Sequence, residues 1–152
     1  MLARFGGGAV GTLECSRVVV GPQCGLSIEV YGTEGSATWN FERMNELKLA
    51  VGRGGANAGY TTILGNPGMG DYGKFQPGPG NSMGYDDLKV IEARKFLQSV
   101  TQGIAGACTI DDAQSAAEVV SAAVQSAETG SWVTVPAVPG ATYGGEPLVA
   151  AS

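Results

Sequence analysis

The sequence predicts an α+β fold, a mainly antiparallel open sheet with two helices packed on one face. Three observations carry that expectation. The first half of the chain holds several short segments in which apolar and polar residues alternate strictly. The second half holds two long segments with apolar residues at helical spacing. A short β-branched run, Trp132 to Val135, closes the pattern before Pro136. Alternation with period two marks sheets with one apolar and one polar face, and such sheets are built from antiparallel hairpins.

The elements follow in order. Leu2 to Phe5 reads as a short strand, Gly6-Gly7-Gly8 as a turn, and Ala9 to Val20 as a longer strand completing a hairpin. Gly21-Pro22 breaks it. Leu26 to Tyr31 alternates, with Leu26, Ile28 and Val30 on one side. Gly32-Thr33-Glu34-Gly35 turns the chain into Ser36 to Phe41, where Ala37, Trp39 and Phe41 share a face. Glu46 to Val51 repeats the pattern with Leu47, Leu49 and Val51. A short strand, Tyr60 to Leu64, precedes a Gly/Pro-rich stretch from Gly65 to Gly84. A loop that long inside a compact domain is usually functional.

The first helix starts at Asp86 or Asp87, whose carboxylates suit a cap, and runs to about Val100. Leu88, Ile91, Phe96, Leu97 and Val100 form its apolar face, and Gly103 ends it. Thr109-Ile110-Asp111-Asp112 opens the second helix as a capping box, with an acid three residues after the threonine. Thr129-Gly130 stops that helix, and residues 137–152 read as a flexible tail.

Composition excludes several functions. The chain has 152 residues, enough for one domain burying roughly 70% of its unfolded surface. Net charge is −5, and the nine basic residues are scattered, so no basic face is available for nucleic acid. The longest apolar runs, such as Val18-Val19-Val20, are too short for a bilayer. Three cysteines, Cys15, Cys24 and Cys108, fit no disulfide framework and point to a reducing, cytoplasmic setting, with packing as their expected role. Histidine is absent, which removes the commonest general base and transition-metal ligand. No metal site and no catalytic residue are expected.

Glycine is abundant, with 25 residues. Gly68-Met69-Gly70-Asp71-Tyr72-Gly73 matches the G-x-G-x-x-G spacing of dinucleotide sites. The following Lys74-Phe75-Gln76-Pro77-Gly78-Pro79 cannot open the helix such a site needs, so no bound cofactor is expected. The second set, Gly78, Gly80 and Gly84, precedes a helix whose start already carries Asp86 and Asp87, which would repel a phosphate. The loop aromatics Tyr72, Phe75 and Tyr85 either wall a sugar face or anchor the loop onto the sheet.

The run Phe5-Gly6-Gly7-Gly8-Ala9-Val10-Gly11-Thr12-Leu13-Glu14-Cys15-Ser16-Arg17 resembles a strand pair of the Gfo/Idh/MocA oxidoreductases, which include glucose–fructose oxidoreductase and inositol dehydrogenases. Ile28 to Ala37 is similar to a hairpin of that family, and Glu42 to Leu47 to the turn and strand that follow. Glu92, Phe96 and Leu97 ahead of Gly103, and then Thr109 to Ala113, look like its closing helices. The resemblance covers residues 2–135.

It implies an NAD(P)-dependent sugar or polyol dehydrogenase, with inositol among the candidate substrates. Full-length members bind NAD or NADP in an amino-terminal Rossmann domain, with a catalytic lysine in a Glu-Lys-Pro motif. An aspartate and a histidine come from the start of the second domain. That second domain walls the substrate pocket and forms homo-oligomer contacts through its open sheet. This sequence has neither the Rossmann unit nor Glu-Lys-Pro, so residues 1–136 correspond to an amino-terminally truncated second domain, inactive alone. Arg17, Tyr72, Phe75 and Tyr85 are its candidate substrate-wall residues. Two alternatives keep the same fold: a free-standing, non-catalytic sugar-binding or dimerisation module, and one subunit of a split dehydrogenase completed by a separate Rossmann protein.

Overall fold

Ile28, Trp39, Leu47 and Ile63 stand in one row across four strands, and that row fixes the sheet. In the computed structural model, which describes residues 1–52, 54, 58–103, 108–140, 142–143 and 146–147, strands β3 (Ser27–Tyr31), β4 (Gly35–Asn40), β5 (Glu46–Val51) and β6 (Thr61–Leu64) form an antiparallel meander in that order. The first hairpin of the chain, β1 (Leu2–Arg4) with β2 (Val10–Thr12), precedes it. Two helices follow, α1 (Tyr85–Gln102) and α2 (Ile110–Thr129). The short pair β7 (Thr142–Tyr143) and β8 (Glu146–Pro147) comes last. The fold is α+β, as the sequence predicts.

Two compact units result, Val18–Ala93 and the pair of segments Met1–Arg17 and Arg94–Ser152. In the first unit, residues facing each other across strands share a face. A second row, Val30, Ala37, Leu49 and Thr61, lies beside the first, so the apolar alternation of three strands converges on one face. The opposite face carries Glu29, Thr38, Lys48 and Thr62 in a polar row. A one-residue slip would exchange the two faces, so the pattern itself specifies the register. Gly35 lets the start of β4 lie close against β5: a Cβ there would stand 2.5 Å from the Ala50 carbonyl oxygen.

Phe41 is not part of the strand. It begins a single 3-10 turn, Phe41–Arg43, because the Asn40 side chain accepts the Glu42 amide at 2.8 Å and stops the extended run. The Trp39 indole donates to the Met44 carbonyl at 3.0 Å across that turn.

In the second unit, the first hairpin is shorter than expected. Only Val10–Thr12 of the Ala9–Val20 run pairs, because β1 is three residues long and offers no further ladder. Val18 and Val20 are left almost fully exposed. Trp132 to Val135 likewise forms no strand. Trp132 instead lies under the Arg4 guanidinium, 4.5 Å from the ring centre, a cation–π contact that ties this segment to β1.

The termini of α2 follow the sequence closely, whereas α1 begins at Tyr85, ahead of the expected caps Asp86 and Asp87. At α1, Asp87 acts from the first turn and accepts the Gly84 amide at 2.7 Å. Gly103, at φ 66°, ends that helix. At α2, Thr109 accepts the Asp112 amide while Asp112 accepts the Thr109 amide, a complete capping box. Gly130, at φ 64°, closes it in the left-handed region.

Burial is sparse. Among the described residues only Met83 and Ala122 are buried hydrophobic side chains, and none is fully buried. Ile28 and Val30 remain 56% and 58% exposed, and Phe96, Leu97 and Val100 on the predicted apolar face of α1 are exposed too. The cysteines are also a correction: Cys15, Cys24 and Cys108 are free thiols, and all three are exposed rather than packed. They lie on segments that the strands do not cover. Half of the expected flexible tail, residues 137–152, falls outside the described residues, and the described half includes the pair β7–β8.

Candidate functional site: the loop between β6 and α1

The Gly/Pro-rich stretch is a loop closed at its base by one residue, through its main chain at one end and its side chain at the other. Asn45, just before β5, holds both of its ends. Its carbonyl accepts the Gly65 amide at 2.8 Å. Its carboxamide donates to the Met83 carbonyl and accepts the Met83 amide, both at 2.9 Å. Such two-point pairing mimics a strand ladder and uses the full capacity of one face of the amide. The Gly65 carbonyl in turn accepts the Gly80 amide at 3.3 Å.

Inside the loop, Gly70–Lys74 form a 3-10 helix. Asn66 prepares it, its side chain accepting the Gly68 amide at 2.9 Å. The G-x-G-x-x-G segment therefore serves the loop's own geometry. Gly70 takes φ 54°, and Gly73 passes so close to Pro67 that a Cβ would meet its carbonyl oxygen at 2.5 Å. Five residues of 3-10 helix offer no extended helix terminus for a pyrophosphate, and the Gly68 amide is already used. The residues of this segment do not fit a dinucleotide.

Beside the base lies an open cavity of about 370 Å³, lined by Phe41 to Glu46 with Ser82 and Met83. Its charged groups are internally matched. Glu42 accepts the Gln23 and Cys24 amides at 2.6 and 2.9 Å. Those amides, Cys24 first, hold its carboxyl below the ordinary glutamate range. Arg43 forks onto Glu46 at 2.9 and 2.6 Å, which lowers the Glu46 pKa and raises that of Arg43. Among the described residues no three metal-ligating side chains come together.

The predicted wall residues separate. Tyr72 on the 3-10 helix and Phe75 at its C-cap are both half-buried, with the Phe75 amide donating to the Tyr72 carbonyl at 3.0 Å. Tyr85 starts α1 and meets Phe41 edge-on at 6.1 Å, and Phe41 meets Trp39 in the same way at 6.0 Å. Tyr85 thus anchors the end of the loop to the sheet. Arg17 is exposed and belongs to the other compact unit. Pattern reading missed Asn45, Glu42, Gly65 and Gln76. An asparagine beside a strand and a glycine among many carry no distinguishing signal.

Comparison with known proteins decides the family. The model of an oxidoreductase family's C-terminal alpha/beta domain matches residues 1–135. The chain belongs to the Gfo/Idh/MocA oxidoreductases. It corresponds to the C-terminal domain of these enzymes. Levoglucosan dehydrogenase of Pseudarthrobacter phenanthrenivorans is 34% identical over 139 residues, which are 90% of this chain and 35% of that protein. The structure of levoglucosan dehydrogenase in complex with NADH superposes with TM-score 0.84 at 33% identity, covering 90% of this chain and 37% of the other. The complex with NADH and levoglucosan gives 0.81 at 33% identity, covering 89% and 37%. An NAD binding oxidoreductase from Klebsiella pneumoniae gives 0.58 at 33% identity, covering 65% and 27%. The chain therefore spans about a third of the length of the levoglucosan dehydrogenases it matches. No helix among the described residues is long and apolar enough to cross a membrane.

Proposed function

We propose that this chain is the C-terminal part of an NAD-dependent dehydrogenase acting on a sugar, with an anhydrosugar of the levoglucosan type favoured over inositol. The observation that carries this reading is the 34% identity to levoglucosan dehydrogenase across 90% of the chain. NAD is preferred to NADP because the similar solved structures hold NADH. In this reading the Rossmann half supplies cofactor and catalytic groups. The present chain supplies part of the substrate wall, with Tyr72, Phe75, Tyr85 and Arg17 as its candidate contacts, and an oligomer interface through the exposed sheet. Aromatic faces suit the C–H face of a sugar ring, and the half-buried Tyr72 and Phe75 are linked by the hydrogen bond that caps the 3-10 helix. A cytoplasmic setting is supported by the three exposed, unpaired cysteines.

Saturation-transfer NMR on the 152-residue chain tests the wall. Levoglucosan is expected to receive saturation from aromatic protons, and myo-inositol less. Saturation of neither ligand, in a chain whose spectrum shows it folded, would remove the sugar-wall role.

A further inference from the structure

Gln76 is 4% exposed, the most buried polar residue described, yet neither amide atom of its side chain has a hydrogen-bond partner. Burying a carboxamide without partners is costly, and native proteins seldom leave one so. The surroundings are set by the backbone of the loop. Its backbone amide donates to the Tyr72 carbonyl at 2.9 Å, so its position follows the 3-10 helix. Its Nε2 and the Tyr72 ring edge lie 3.2 and 2.6 Å from the point where a Gly65 Cβ would stand. An unmet donor and acceptor thus sit near the edge of an aromatic ring, inside a loop clamped at Asn45.

We propose that the Gln76 carboxamide is a specificity-determining contact for a hydroxyl-bearing ligand, donating to one hydroxyl and accepting from another when the loop admits it. The inference rests on the sugar-binding reading. Both amide atoms are sealed from solvent in the closed loop, so the ligand must displace part of residues 65–84 to reach them. A carboxamide has two donors and an acceptor on one plane, which suits vicinal hydroxyls on a sugar ring, and Tyr72 offers the adjoining apolar surface.

The test titrates levoglucosan into the full chain carrying isotope-labelled glutamine side chains. The Gln76 amide resonances, assigned from Gln76→Met, are expected to shift with the same affinity as the Tyr72 ring protons. Gln76→Met replaces an unmet amide by an apolar group of similar shape, so its melting temperature should hold or rise while levoglucosan binds about 3- to 10-fold more weakly. Ring protons that shift while the Gln76 amide does not would overturn the inference and leave the sugar-wall reading standing. A Gln76 amide that exchanges slowly with a trapped water and ignores the sugar would also overturn it. No response anywhere would sink both.

Discussion

Gly65 has no room for a side chain, and that single fact makes it the hub of the loop. A Cβ there would press on the Tyr72 ring edge at 2.6 Å and the Gln76 amide at 3.2 Å. Gly65→Ala is therefore expected to destabilise the chain by about 1–3 kcal/mol, as overpacking does, and to displace the Tyr72 ring, seen as shifted Tyr72 ring resonances. Asn45→Ala should cost a similar amount, because it strands the Met83 amide and carbonyl; urea denaturation would measure both. Glu42 carries a pH prediction. Its folded pKa is lowered, so the stability it supplies is present above its ordinary value and lost as pH falls through the folded one. Glu42→Gln should lower the urea midpoint at neutral pH, and the difference from the parent should close as pH falls below the ordinary glutamate range. A gap that persists in acid would show that the carboxylate charge is not what holds Gln23 and Cys24. None of these three residues announces itself in the sequence, since the roles of Glu42 and Asn45 come from side-chain partners 18 to 38 positions away and that of Gly65 from how the loop folds back on it.

At the scale of elements, legibility depended on whether the signal was local. The capping box at Thr109 needs only four consecutive residues, and the structure reproduces it with both hydrogen bonds. The alternation in β3, β4 and β5 was legible for the same reason, since period two constrains each strand by itself. Strand length was not local. The Ala9–Val20 run has suitable residues throughout, but its partner β1 ends after three. Trp132 to Val135 has β-branched residues and finds a guanidinium instead of a ladder. Propensity describes what a segment tolerates, and pairing depends on what the rest of the chain supplies. The local case gives a local prediction. Thr109→Ala removes the oxygen that accepts the Asp112 amide, which should destabilise α2 by about 1 kcal/mol and be read as a lower melting temperature by circular dichroism. Thr109→Ser keeps the acceptor and should restore most of the loss; if it does not, the methyl group rather than the cap is what matters.

For the molecule as a whole, the decisive feature is how little apolar surface the described residues bury. Ile28 and Val30 lie on the same sheet face as Trp39 and Leu47, yet stay more than half exposed on a strand that has no neighbour on its outer side among the described residues. Surface of this kind drives association, at roughly 25 cal/mol for each square ångström removed from water. An unpaired edge adds backbone groups that can continue the sheet. The 152-residue chain is therefore expected to self-associate, with a melting temperature that rises with protein concentration because association stabilises the folded form by mass action. Val30→Lys places a charge in the middle of the exposed row without touching a hydrogen bond of the ladder. It should shift sedimentation toward the monomer and flatten the concentration dependence. Glu29→Lys, on the opposite face of the same strand, should do neither, which separates an effect of the apolar face from one of net charge or of the strand edge. A parent chain that sediments as a monomer, with one concentration-independent melt, would show that the exposed rows are tolerated alone, and the sheet would lose its place as an interface.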